Sequence, residues 1–292
     1  MTEQVRIARH NNTLKLENPE KGINILVPIL QISEIFALGG ASPDNAALSL
    51  LSEKSVPLHI FEAGRYKGTW MPYISIVSGQ VSLDQYMTLF DEGLALSIAQ
   101  EIVRGACRLR CGVARNWFPK EDEVWEDRYL NCLSEFYANP KDNAPKVFNT
   151  INSLDEDRLT KYIQNVSCYP LVEGIAKATV VSAFSKLSLD PWVSVFSCLD
   201  VPSSALWDDL FFLFKPLLVD LWLPMFGEWQ GDMNEVPELY RRHFTKSCAQ
   251  DGKKSWSLRM LPVREGYALI SCFVGNTSYR AARRVVIPKD AS

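Results

Sequence analysis

The chain has 292 residues, more than the ~100–150 of a typical single domain, so two domains are the starting expectation. Its composition, 47% apolar and 22% charged, excludes a disordered chain. A net charge of −3 and a pI near 5.8 exclude a protein that coats nucleic acid over its whole surface, though not one with a local basic stripe.

The first residues, MTEQVRIARHNN, lack the basic-then-apolar pattern of a leader. The longest apolar run, LFFLFKPLLVDLWLPMF, is cut by Lys215, Asp220 and two prolines. Neither secretion nor a membrane span is expected, and the protein reads as cytoplasmic. Seven cysteines without a Cys-x-x-Cys pair read as free thiols. Cys107 and Cys111 are spaced i, i+4, but none of the three histidines is near them, which argues against zinc.

From the N-terminus, VRIARH, TLKLEN and INILVP are short strand-like runs separated by Asn-Asn, Pro19 and Gly22, a pattern that predicts antiparallel strands. A further strand, a Gly-Gly turn, a short helix from Ser42 to about Lys54, the strand VPLHIF and a Gly-Arg-Tyr turn follow. Residues 1–78 therefore read as a small β-rich domain. Near Gly79 the period changes, and apolar residues recur at steps of three and four through LDQYMTLFDEGLALSIAQEIVRGACRLRCGVARNW and beyond. Residues 79–227 are read as an all-α domain. In the tail, 228–292, PELYRRHFTKS predicts a short helix, and WSLRMLPVREGYALISCFV with GNTSYRAARRVVIP is read as strands around a Gly-containing turn. The fold class is α+β.

Several strings, in order, resemble the CRISPR-associated adaptation integrase family, which inserts new spacers into CRISPR arrays. VPILQISEIFALGGASPDNAALSLLSEKSVPLHIFEAGRYKGTW is similar to its N-terminal signature, and DEGLALSIAQEIVRGACRLRCGVAR to the helix that follows. SLDPWVSVFS resembles the family's Gly-Leu-Asp-Pro-x-x-Gly-Phe-x-His segment, and DLFFLFKPLLVD its Asp-Leu-x-Glu-x-Phe-Arg-Pro-x-Val-Asp helix. The resemblance implies a dimerising β-domain, a helical domain, a small ferredoxin-like partner protein, and DNA transesterification assisted by Mg²⁺ or Mn²⁺. It also implies a centre made of a Glu, a His and acids three residues apart on one helix, a spacing that projects two carboxylates onto one ion.

On that pattern Asp209 occupies the first acidic position of the helix and Phe212 the second, while Ser197, or Cys198 with a one-residue shift, stands where the histidine belongs. The glutamate position falls on Glu173 in VEGIAKATV or, preferred here, on Asp155 or Glu156 in NSLDEDRLTKY. The family's Lys after the helical glycine is Ala106. A phenylalanine ligates no metal, so the expectation is a degenerate centre with no resident cofactor, or Mg²⁺ or Mn²⁺ if the centre is active, with Asp209 its remaining metal candidate.

Each reading has a plainer rival. Asp208–Asp209 alone is an acid pair at a helix N-terminus. Arg104, Arg108 and Arg115, with Arg110 beside them, form a helix face that either tracks phosphates or is solvated and paired with Glu101. Arg241, Arg242 and His243 with Lys246 form a second basic cluster that suits DNA or an acidic partner. His59 reads as a strand residue, and Trp207, Trp222, Trp229 and Trp256 as packing. Three functions follow: a non-catalytic adaptation subunit that binds spacer-precursor or repeat DNA as a homodimer or beside an active paralogue, an active nuclease whose ligands lie elsewhere, or a scaffold that no longer meets DNA.

Overall fold

A computed structural model describes residues 5–72, 79–117, 121–162, 166–201 and, except for 204, 228, 230, 252, 253, 276, 283, 284 and 286, residues 203–287. The N-terminal part holds two small sheets. β1 (Val5–His10), β2 (Thr13–Asn18) and β3 (Ile23–Pro28) form an antiparallel meander. β4 (Ile35–Ala37) belongs to the second sheet, and β5 (Ala41–Pro43) adds to β1 in parallel. α1 (Asn45–Glu53) starts where the Asp44 side chain accepts the Ala47 N–H at 2.7 Å. β6 (Leu58–Glu62) pairs with β4 in parallel and with β7 (Arg65–Trp70) antiparallel. Ala63 and Gly64, both at positive φ, close the β6–β7 hairpin as two left-handed residues must. The sheets are thus mixed: the parallel pairs arise where a connection, including α1, crosses over.

Helices follow: α2 (Gly79–Phe90), α3 (Glu92–Trp117), α4 (Asp122–Ala138), α5 (Pro140–Tyr162), α6 (Tyr169–Ala183) and α7 (Leu206–Lys215). The expected α+β class is what the chain adopts. α3 and α6 are the central helices, with Ile98, Ile102, Val103 and Ala106 of α3 and Val172, Ile175 and Ala176 of α6 all buried. β6 faces both parts: Leu58 packs in the small β core, whereas Phe61 joins the helical core. Gly174 on α6 makes that docking possible, since a Cβ there would lie 2.8 Å from Tyr66 Cβ and 2.9 Å from Phe61 Cε1.

A polar network also ties the two parts. His59 is fully buried, with Nδ1 2.6 Å from the Thr69 hydroxyl and Nε2 2.8 Å from that of Ser182. The Ser182 hydroxyl donates to Glu34, which also pairs with Arg259 at 2.7 Å. His59 is therefore a strand residue that fixes domain orientation.

In the tail, α8 (Val236–Phe244) precedes a hairpin of β8 (Ser247–Asp251) and β9 (Lys254–Ser257). The expected strands beyond Trp256 are corrected: Leu261–Phe273 is a helix, α9. Leu261, Glu265, Leu269 and Phe273, four apart, are buried along one side, and Pro262 sits in the first turn where its missing N–H costs nothing. Its β-branched and aromatic residues imitate a strand, and Gly266 imitates a turn. The glycine is needed because a Cβ would come within 2.2 Å of Leu187 Cδ1. Among the described residues no helix is long and apolar enough to cross a membrane.

Candidate functional site

α7 starts at Leu206, directly after its N-cap Ala205, and carries both acids in its first turn. The two behave differently. Asp209 is fully buried: the Ser194 hydroxyl donates to its two oxygens at 2.9 and 3.0 Å, the Ser203 hydroxyl donates at 2.6 Å, and the Val195 N–H at 2.6 Å. Burial pushes this carboxyl up to about 7, against the pull of those donors. Asp209 therefore organises the loop before α7. Asp208 is half-buried and lines a cleft bounded by α5, α6 and α7, with a volume of about 300 Å³.

Phe212 lies one turn on from Asp208. Its ring stacks on Phe148 at 4.7 Å, meets Phe196 edge-on at 5.8 Å, and has the Arg110 guanidinium 4.7 Å from its centroid. The second acidic position is thus filled by an aromatic cluster. Ser197 is exposed at the surface of a short turn, its hydroxyl donating to the Ser194 carbonyl at 2.8 Å, and Cys198 Sγ lies 3.2 Å from the Val195 carbonyl. Both side chains are engaged with their own turn, and neither lines the cleft.

The preferred glutamate candidates, Asp155 and Glu156, sit in different surroundings. Asp155 is fully buried and does not line the cleft: Arg110 donates to it through Nε at 3.0 and 3.1 Å and through Nη2 at 3.0 Å, and the Tyr129 hydroxyl donates at 2.9 Å. Burial alone would raise its pKa, but Arg110, Lys215 and Arg158 outweigh that and hold it well below the usual range. Arg158 pairs in turn with buried Asp220. Glu156 is exposed and does not line the cleft. What α5 presents to the cleft are Asn149 and Asn152, which sequence reasoning passed over because amides carry no catalytic signature. Glu173, the other candidate, does line the cleft, 3.4 Å from Lys177. Lys215 reaches it from below, 3.5 Å from Asp155.

The basic residues divide as well. Arg104 pairs with Glu101, its side chain exposed by 43%, and the exposed Arg108 donates to the Ala282 carbonyl. Arg115 is bidentate on Glu126 of α4, and Arg110 is buried under Phe212 and not beside the others. On α8, Arg241 pairs with Glu238 at 2.8 Å and Arg242 is exposed. His243 leaves this cluster: it is buried, bonded to the Leu217 carbonyl at 2.9 Å and stacked on Trp222, and burial drops its pKa to about 3. Cys107 and Cys111 are buried thiols, pushed up by burial to about 12 and about 11. Among the described residues no three His, Cys, Asp or Glu side chains converge as a metal site would require.

The model of the family described as "CRISPR associated protein Cas1" matches residues 1–156, more than half of the chain. A CRISPR-associated endonuclease Cas1 from Methanothermobacter thermautotrophicus is 33% identical over 101 residues, 34% of this chain and 30% of that protein. One from Pyrococcus horikoshii is 24% identical over 229 residues, 73% of this chain and 70% of that protein. The first of these matches therefore spans less than a third of its relative's length. In fold the chain is similar to a CAS1 protein from Thermotoga maritima, with a TM-score of 0.76, 19% identity, and coverage of 97% of this chain and 99% of that one. A casposase bound to integration product has a TM-score of 0.74 at 13% identity, covering 98% and 93%. With the domain order, the α7 pattern and these matches together, the chain belongs to the CRISPR-associated Cas1 family.

Proposed function

We propose that this chain is a non-catalytic member of a spacer-integration assembly, which binds DNA and pairs with itself or with an active paralogue and a small ferredoxin-like partner. The observation that carries the reading is the replacement of the acidic helix position by Phe212, packed between Phe148, Phe196 and Arg110. A Mg²⁺ or Mn²⁺ ion does not fit the residues present. Such hard cations take several oxygen donors, including carboxylates. Here Asp209 is committed to three donors, Asn149 and Asn152 offer neutral amides, Glu173 faces Lys177, and Asp208, the other acid on the cleft wall, is not joined by two more ligands of the kind such an ion takes among the described residues.

Among the relatives, Cas1 chains occur in a "Cas6-RT-Cas1--Cas2 complex", matched here with a TM-score of 0.67 at 14% identity, which supports a partnered role. Among the described residues β3 is an edge strand that exposes Ile25 and Leu26, and Leu30 follows at 86% exposure, an apolar edge suited to a second protomer. Salt-dependent binding to a forked duplex tests the DNA part: affinity that falls steeply with salt supports it, and the absence of any affinity at low salt leaves the scaffold reading in its place.

A further inference from the structure

The tail returns to α3 beside the two arginines that the helix presents one turn apart. Gly105, between Arg104 and Arg108, allows this: a Cβ there would lie 2.9 Å from Ala281 Cβ and 2.9 Å from Leu213 Cδ1. Buried Glu265 of α9 holds the returning segment, accepting the Tyr279 hydroxyl at 2.7 Å and the Ala282 N–H at 3.0 Å. Arg280 and Ser278 are thereby brought opposite Arg104 and Arg108 around a cavity of about 560 Å³.

Its electrostatics are one-sided. Among the described residues the acid that pairs with its guanidiniums is Glu101, shared by Arg104 and by Arg280 at 3.2 Å. Arg108 has a backbone carbonyl as its partner, and burial, then the like charge of Arg104, lowers its pKa. Burial also favours the neutral form of Glu265 behind the wall. Three guanidiniums thus converge, with one shared carboxylate, on a concave site with a hydroxyl on its rim.

We propose that Arg104, Arg108, Arg280 and Ser278 form a pocket for the terminal phosphate of a nucleic-acid strand, a reading that rests on the DNA binding proposed above. Three guanidiniums around one cup suit the several oxygens and double charge of a phosphomonoester better than the single charge of a backbone diester. A cup between a helix and a loop also suits an end better than a continuous backbone.

The test is fluorescence anisotropy of the full chain with one labelled oligonucleotide in three forms: hydroxyl at both ends, 5′-phosphate, and 3′-phosphate. One phosphorylated form is expected to bind about tenfold tighter than the dihydroxyl form, the effect of one set of charge-assisted hydrogen bonds. Arg280→Ala, at an exposed side chain, should erase that preference while leaving dihydroxyl binding within about threefold, and Arg104→Ala should erase it too while weakening all three forms alike. Binding that is indifferent to end phosphorylation, or a preference that survives both substitutions, overturns the pocket while leaving DNA binding intact. Competition by AMP as strong as that by the phosphorylated strand assigns the site to a free nucleotide and overturns it too. No binding of any form contradicts both this proposal and the DNA-binding reading.

Discussion

The Val195 N–H donates to the Asp209 carboxylate at 2.6 Å, fourteen residues ahead of it in sequence. With the two serine hydroxyls, this bond makes the only acid kept at the expected metal-helix positions into a clasp for the loop that precedes α7. Asp209→Ala is expected to lower stability by about 2–4 kcal/mol, because three buried donors lose their acceptor. Chemical denaturation reads this directly.

The same residue predicts a pH dependence. Burial raises the Asp209 carboxyl from 3.8 to about 7 in the folded chain, so the folded state holds the proton more tightly than the unfolded one. Its contribution is fully present below about pH 4 and is lost as pH rises to about 7. Asp209→Asn should remove this component, so that the stability difference between the two proteins changes between those pH values. A constant difference contradicts the assignment.

Asp155 is structural. It is the shared anion of Arg110, Arg158 and Lys215, all three largely withdrawn from solvent. Asp155→Ala is expected to cost about 3–5 kcal/mol, since it strands buried cations. The readout is the denaturant midpoint.

On the basic face, Arg104→Ala should flatten the log–log salt dependence of duplex binding by about 0.9 if it neutralises one phosphate. Arg115→Ala should change the slope less, because Glu126 already holds that guanidinium. Equal slopes for both variants and the unmodified protein assign the face to solvent.

The exposed edge of β3 predicts self-association. Leu26→Asp places a charge on that apolar edge and should shift the chain towards monomer in sedimentation velocity. An unchanged sedimentation coefficient places the protomer contact elsewhere.

Much of the fold was legible because it is local. The period change at Gly79, the start of α1 near Asp44 and the two-strand turns are each written within a few residues. Asp209 and Phe212 could be placed because three-residue spacing on one helix is also local. The surroundings of the glutamate candidate were not legible, because nothing in NSLDEDRLTKY says that Asp155 meets Arg110, 45 residues away. The partners of Arg110 and Arg115 were hidden for the same reason, since they lie on other helices. Its completion by Arg280 was invisible, because Arg108 meets Ala282 across a separation of 174 residues. α9 was lost to composition, its aliphatic and aromatic residues having no clear period until Leu187 and the rest of the core are in place.

The central claim is that the α5–α6–α7 cleft no longer performs chemistry. Its most direct measurement is a nicking and strand-joining assay of the purified chain alone on branched DNA, in Mg²⁺ and in Mn²⁺, beside Glu173→Ala and Asp208→Ala, which remove the carboxylates that still line the cleft. The account predicts no cleavage and no joining in either metal. Metal-dependent nicking that disappears in either variant would contradict it, because the cleft would then hold a working ligand set despite Phe212.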